Sequence, residues 1–93
     1  KVHPVLIAAY LHDELVRIHP FIDGNGRTSR LLMNLYLLRH GYVIITLKGS
    51  NDAKVNYYKA LEMSHTEQLP EDFQKLVIEA EIAALQKYLS IMA

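Results

Sequence analysis

The sequence predicts an all-α domain, because helical periodicity recurs along the chain and sheet signals do not. The 93 residues are enough for one domain with a modest core. Four helical segments are indicated, and the first carries apolar residues at helical spacing. Only the stretch YVIITLKG, residues 42–49, is β-prone, and a lone strand has no partner to pair with. We therefore expect a helical bundle in which residues 42–49 are an extended connection.

The first two predicted helices flank a short polar loop. The first covers residues 4 to about 18 and has Pro4 in its first turn. The second covers residues 25 to about 40, and Gly41 follows at the position of a C-terminal cap. Because the second helix is apolar nearly all round, we expect it to be the buried central helix of the bundle.

Two further helices complete the predicted bundle. Residues 50–52, with the sequence SND, supply an N-terminal cap for a third helix over residues 53 to about 65. A fourth helix begins at residues 70–72 and ends near residue 91. Glu71 and Asp72 lie in its first turn, where negative charge suits the helix dipole.

The loop between the first two helices has the features of an anion-binding site. Gly24, Asn25 and Gly26 come immediately before the second helix. Glycines permit positive backbone φ angles, so that successive N–H groups can point into one concavity. A helix N-terminus adds unpaired donors and the positive end of the dipole. These features predict a phosphate cradle, although the same glycines also suit a plain turn between two helices.

Two arginines follow this cradle on one face of the second helix. Arg27 and Arg30 are three residues apart, and the arginine fork pairs with phosphate oxygens in a bidentate manner. Positive charge at a helix start opposes the dipole, and this local cost indicates a function. The alternative is a pair of surface arginines bound to carboxylates elsewhere in the fold.

A carboxylate and a histidine complete the loop. Asp23 adjoins the cradle, where a single carboxylate can hold Mg²⁺ beside phosphates or simply cap the helix. His19 ends the first helix and can take a proton near neutral pH or interact with the helix dipole. His12, seven residues earlier on the same face, is interpreted as a packed helix residue. The residues alone predict a phosphate site with a metal carboxylate and a base, but not the reaction.

The loop HPFIDGNGRTSR, residues 19–30, fills every fixed position of the signature His-x-Phe-x-Asp/Glu-Gly-Asn-Gly-Arg-x-x-Arg. The sequence therefore resembles the Fic family, in particular its protein adenylyltransferase (AMPylator) branch, over most of residues 3–65. This resemblance implies a Fic-type helical bundle core, with the active-site loop between two central helices. It also implies an enzyme that transfers AMP from ATP to a Ser, Thr or Tyr hydroxyl of a target protein, with reverse deAMPylation as a further activity.

The same resemblance implies a role for each residue of the loop. His19 would be the general base on the target hydroxyl, and Asp23 would hold Mg²⁺ between the α- and β-phosphates of ATP. Residues 24–26 would form the anion hole. Arg27 would contact the phosphates, and Arg30 would reach the γ-phosphate.

Outside the loop, Tyr57 and Tyr58 match a tyrosine pair that lines the nucleotide site in this branch, although either can be a core aromatic of the third helix. The branch often has asparagine where this chain has His65, so base and ribose contacts there stay undefined. Gly26 replaces the lysine that marks related kinases, which favours adenylyl transfer. The alternatives are the transfer of another phosphate-containing group, such as UMP or phosphocholine, and a catalytically silent ATP-binding core.

Two parts of the family pattern are not found in this sequence. We interpret residues 1–93 as a Fic core fragment whose target-docking flap lies upstream. No Ser or Thr is followed four residues later by Glu, which is the inhibitory pattern of the family. We therefore expect any inhibitory helix to lie upstream in the same protein or on a partner chain. The isolated chain is expected to be weakly active or inactive.

Charge and composition limit the other partners. The formal net charge is zero, and only a mild basic excess falls in residues 1–46, which fits a small anionic ligand and not nucleic acid. No apolar run of about 18 residues or secretory leader is visible, and the absence of cysteine excludes thiolate metal sites. ATP and a target protein are the expected partners, and a homo-oligomer stays open. The compartment is unknown, with the cytoplasm expected for a bacterial protein.

Overall fold

The structure, a computed structural model, describes residues 2–18, 24–48 and 50–92. Within these ranges the secondary structure is four α-helices without a strand, as predicted, and residues 42–48 are the expected connection. No helix in these ranges is long and apolar enough to span a membrane. The helices are α1 (Pro4–Ile18), α2 (Asn25–Arg39), α3 (Asn51–Thr66) and α4 (Glu71–Met92).

The central helix is α1, and the prediction that α2 is the buried central helix was wrong. Among the described helices, α1 packs against the other three, whereas α2 packs on α1 alone. Met33 and Leu37 of α2 are fully buried, but Leu31, Leu35 and Leu38 are each more than half exposed. A helix that packs on a single neighbour buries a single face, whatever the composition of its other faces.

Both predicted helix caps are present. Gly41 follows α2 with φ of 86°, and Tyr42 N donates to Leu37 O at 2.8 Å while Gly41 N donates to Leu38 O at 3.2 Å. This pair of bonds is the Schellman motif. Ser50 caps α3 by accepting from Ala53 N at 3.1 Å, so that α3 begins two residues earlier than predicted.

The connection between α2 and α3 is fixed on the core. Asn34 pairs with the backbone of Ile45 through two hydrogen bonds of 2.9 and 3.1 Å. Ile45 and Leu47 are buried, and the backbone N–H of Val43 donates to Glu81 on α4 at 2.9 Å. The connection therefore brings its last residue, Lys48, to a defined place beside α3.

The hydrophobic core lies where α1 meets α2, α3 and α4. Ala8 and Ala9 of α1 are almost fully buried, and their short side chains permit close approach of the neighbouring helices. Larger side chains from the other elements fill the remaining space. These are Met33, Leu37, Ile45, Leu47, Tyr57, Leu61, Phe73 and Val77, and Ala60 of α3 lies in the same cluster.

Candidate functional site

A cavity of about 520 Å³ lies at the N-terminal end of α2. Its walls come from the first two turns of α2, one face of α3, the end of the connection and the last turns of α1. Its volume is that of a small-molecule site. The cavity brings together seven of the nine site residues predicted from the sequence: Gly24, Asn25, Gly26, Arg27, Arg30, Tyr57 and Tyr58.

The two glycines at the start of α2 have different structural roles. Gly24 is the N-cap, with φ of 80° and ψ of 14°. This left-handed conformation is unfavourable for residues that have a Cβ atom. Gly26 lies inside the first turn and has no positive φ. A Cβ atom on Gly26 would lie 3.1 Å from Nη1 of Arg30. Gly24 thus permits the turn into the helix, and Gly26 leaves space for the Arg30 guanidinium.

Arg30 is held by a polar chain that passes through the core. Its Nη1 donates to the Tyr57 hydroxyl at 3.2 Å, and that hydroxyl lies 2.9 Å from Nε2 of His12. Both Tyr57 and His12 are almost completely buried. Burial raises the pKa of Tyr57, and burial together with the Arg30 charge lowers the pKa of His12 to about 4. At neutral pH the chain therefore contains an uncharged phenol and an uncharged imidazole.

The complete burial of His12 on α1 confirms the prediction that it is a packed helix residue. Its position beneath Tyr57 gives it a second role that the sequence did not predict, because it supports the tyrosine that receives Arg30. No signal in the sequence connects these residues, which lie 45 positions apart.

The described wall of the cavity carries positive charge and no carboxylate. Arg27 and Arg30 come from α2, and Lys48 comes from the connection. Such a pocket favours a ligand with several negative charges. Lys48 is the residue that sequence reasoning missed, because it lies outside the loop motif and only the anchored connection brings it to the pocket.

Lys48 lies against the tyrosine pair. Its Nζ is 5.2 Å from the ring centroid of Tyr58 and 5.8 Å from that of Tyr57. A hydrogen bond with the Lys48 side chain lowers the pKa of the Tyr58 hydroxyl. Tyr57 is thus a core aromatic with its hydroxyl in the site, while Tyr58 is half-exposed at the cavity wall.

The far wall of the cavity includes His65. Its Nε2 lies 2.5 Å from Oδ1 of Asp13 on α1, and the Ser64 hydroxyl donates to the other oxygen of the same carboxylate. This contact fixes the His65 ring at the position where the sequence left base and ribose contacts undefined. The Asp13 partner was not predicted.

Two predicted site residues, His19 and Asp23, lie outside the described residues, and so does the rest of residues 19–23. Within the described ranges, no group of three or more His, Asp or Glu side chains could hold a metal ion. The predicted base and the predicted metal carboxylate therefore stay predictions.

Comparison with known proteins identifies a family and individual proteins that this chain resembles. The family described as Fic/DOC matches residues 1–37 of the chain. Two curated proteins named "Protein adenylyltransferase Fic", from Drosophila persimilis and Drosophila ananassae, are 52% and 51% identical to it over 65 residues. Those alignments cover 70% of this chain but 12% and 13% of the relatives, so the chain spans about an eighth of their length.

The fold of this chain is also similar to that of a solved structure. The structure of Fic-1 from C. elegans matches with a TM-score of 0.88 and 34% sequence identity. The match covers 97% of this chain and 26% of that chain. The similarity therefore includes all four helices and the connection between α2 and α3.

Proposed function

Because this chain belongs to the Fic/DOC family, we propose that it is the catalytic core of a protein adenylyltransferase. The proposed reaction transfers AMP from ATP to a Ser, Thr or Tyr hydroxyl of a target protein. The name of the curated relatives supports this activity, and the matched residues include the loop that would carry it.

The observation that carries the proposal is the charge of the cavity at the start of α2. Arg27, Arg30 and Lys48 line the cavity, and its described wall holds no carboxylate. A triphosphate supplies the negative charge that these side chains lack, and the N-terminus of α2 adds the positive end of a helix dipole. Arg30 is the best positioned of the three, because Tyr57 fixes its guanidinium from the core side.

The proposed reaction exchanges one bond at the α-phosphorus for another. The target hydroxyl oxygen bonds to this phosphorus, the bond to the oxygen bridging to the β-phosphate breaks, and pyrophosphate leaves. His19 takes the hydroxyl proton, residues 24–26 and Arg27 stabilise charge on the phosphate oxygens, and Arg30 binds the γ-phosphate. Such transfers depend on positioning and on electrostatic stabilisation.

The proposal includes Mg²⁺, which Asp23 would hold beside the nucleotide phosphates. As the family resemblance implies, Asp23 and the nucleotide phosphates would supply the ligands. Mg²⁺ commonly binds to one or two carboxylates, substrate phosphates and water. When bound, it would neutralise part of the phosphate charge.

The test is label transfer by the full-length protein, supplied with Mg²⁺ and ATP labelled at either the α- or the γ-phosphate. We expect protein-bound label from α-labelled ATP alone, and none from the His19→Ala variant. The variant should still bind ATP, because the proton acceptor is separate from the cationic wall.

The two labels distinguish the alternatives. Transfer from γ-labelled ATP alone would replace the proposal with a kinase. ATP binding without transfer of either label would identify a catalytically silent binding core. Transfer that survives His19→Ala would remove His19 as the base.

A further inference from the structure

Lys48 has the position of a ligand-binding group, although it lies outside the loop motif. It is the last described residue of the connection, and it lines the same cavity as Arg27 and Arg30. The connection presents it from the side of α3, whereas both arginines come from α2. A ligand in the cavity would therefore lie between cations from two separate elements.

The backbone that carries Lys48 is well fixed. The residue before it, Leu47, is buried in the core. Further back, the side chain of Asn34 holds the backbone N–H and C=O of Ile45. A side chain that extends from so fixed a point has a limited range of positions, which lowers the entropy lost when it binds a ligand.

Without a ligand, Lys48 contacts uncharged groups, and one of these contacts is a hydrogen bond with the Tyr58 side chain. Its Nζ faces the rings of Tyr58 and Tyr57 at 5.2 and 5.8 Å, and no salt bridge joins it to another described residue. Arg30 approaches the same Tyr57 ring, with Cζ 5.9 Å from the centroid. Two cations thus approach one ring and line one cavity, and an anionic ligand in that cavity would reduce their mutual repulsion.

We propose that Lys48 is a further nucleotide-binding residue, whose ammonium leaves the tyrosine rings to bind the phosphate chain of the bound nucleotide. This inference rests on the proposed function, because it takes the ligand to be ATP. A hydrogen bond from an ammonium to a charged phosphate is stronger than one to a neutral phenol, and stronger than a cation–π contact at a partly exposed ring. Tyr57 and Tyr58 then hold Lys48 near its ligand position when the site is empty.

The test compares nucleotide affinity in wild type and Lys48→Met by calorimetry with ATP, ADP and AMP in the presence of Mg²⁺. We expect Lys48→Met to weaken ATP binding by about ten-fold. ADP should show a smaller loss and AMP a change of less than about two-fold, because the effect follows phosphate charge. Lys48→Arg should restore most of the ATP affinity.

Lys54→Met is the matched control. Lys54 is an exposed lysine in the first turn of α3, and its charge contributes at Tyr58, but it does not line the cavity. Its replacement removes the same charge and should change ATP affinity by less than about two-fold. Equal losses in the two variants would reduce the role of Lys48 to the general field of the pocket and overturn the inference.

Two other results would overturn it and leave the proposed function intact. In one, the wild type binds ATP and Lys48→Met binds it equally well. In the other, Lys48→Met weakens ATP and AMP by the same factor with a lower melting temperature, as expected if Lys48 only supports the tyrosines. Wild-type protein that binds no ATP would instead contradict the proposed function itself, and the inference with it.

Discussion

Each end of α2 has a glycine with positive φ, but the surroundings of the two glycines differ. Gly24 precedes the helix with φ of 80°, and Gly41 follows it with φ of 86°. At the C-terminal end, the turn at Gly41 returns two backbone N–H groups to the helix carbonyls, and Arg39 in the last turn suits the dipole. At the N-terminal end, a glycine cap brings no side chain to the first N–H groups, and arginines follow where acids are favoured.

This difference fits an end that serves stability and an end that we propose serves binding. At the C-terminal end, the backbone N–H groups of residues 40–42 donate hydrogen bonds to carbonyl groups of the last helical turn. The N-terminal end collects positive charge from Arg27 and Arg30 and lies open to a cavity. The basic residue in the last turn suits the helix dipole, whereas the arginines after Gly24 oppose it, as expected where the N-terminal end binds an anionic ligand.

The largest expected difference between the two ends is in nucleotide affinity. Arg30→Ala should weaken ATP binding about 100-fold, because it removes a fixed, charge-assisted contact with phosphate. Arg39→Ala, at the other end of the same helix, should leave ATP affinity unchanged and lower the free energy of unfolding by about 0.3–1 kcal/mol through the dipole. Calorimetric titration with ATP and thermal unfolding of both variants measure the two effects.

Arg30→Ala also tests the assignment of the γ-phosphate. The variant should lose much less affinity for AMP than for ATP. Equal ATP affinity in Arg30→Ala and wild type would contradict the assignment, and a parallel loss in Arg39→Ala would contradict the separation of the two ends.

The second expected effect is a pH dependence of stability at the binding end. Burial and the Arg30 charge lower the pKa of His12 to about 4 in the folded protein. As pH falls below the ordinary histidine value, the unfolded chain binds a proton that folded His12 refuses. Stability from this group is therefore complete above about pH 6.5 and declines as pH falls towards 4. Between pH 7 and pH 5 the loss is about 2 kcal/mol.

Denaturant unfolding at several pH values, in wild type and His12→Gln, isolates this contribution. Glutamine does not titrate, so the variant should lose less stability than wild type between pH 7 and pH 5. Burial raises the pKa of Glu81, which gives an opposite trend, but that trend is common to both proteins. Parallel stability curves for the two proteins would contradict a neutral, buried His12.

The helices were predictable because their signals are local. Helical periodicity and the caps at Gly41 and Ser50 gave the elements, and the spacing of Gly24, Arg27 and Arg30 gave one wall of the site. The burial of α2 was mispredicted because composition does not state how many neighbours a helix has. Lys48 and the chain through His12 were missed because tertiary packing brings them to the site across long sequence separations.

The smallest expected effect is a direct comparison of the two glycines. An added Cβ at Gly24 or at Gly41 meets no atom of the described residues within 4 Å, apart from its chain neighbours, and both glycines have positive φ. Gly24→Ala and Gly41→Ala should therefore each lower the free energy of unfolding by about 1–2 kcal/mol, from backbone strain alone. In a domain of this size, each kilocalorie shifts the melting temperature by about 4–8 °C.

Gly24→Ala and Gly41→Ala should lower the free energy of unfolding by similar amounts but should differ in their effect on ATP affinity. Gly24→Ala disturbs the turn that brings the N-terminus of α2 to the cavity, so ATP affinity should fall by several-fold more than the loss of folded protein explains. Gly41→Ala should leave the affinity of the folded fraction unchanged, because the far end of α2 does not touch the cavity. Equal ATP affinity in the two folded variants would mean that Gly24 only makes a turn between two helices, and that the arginines bind the phosphates without help from the helix start.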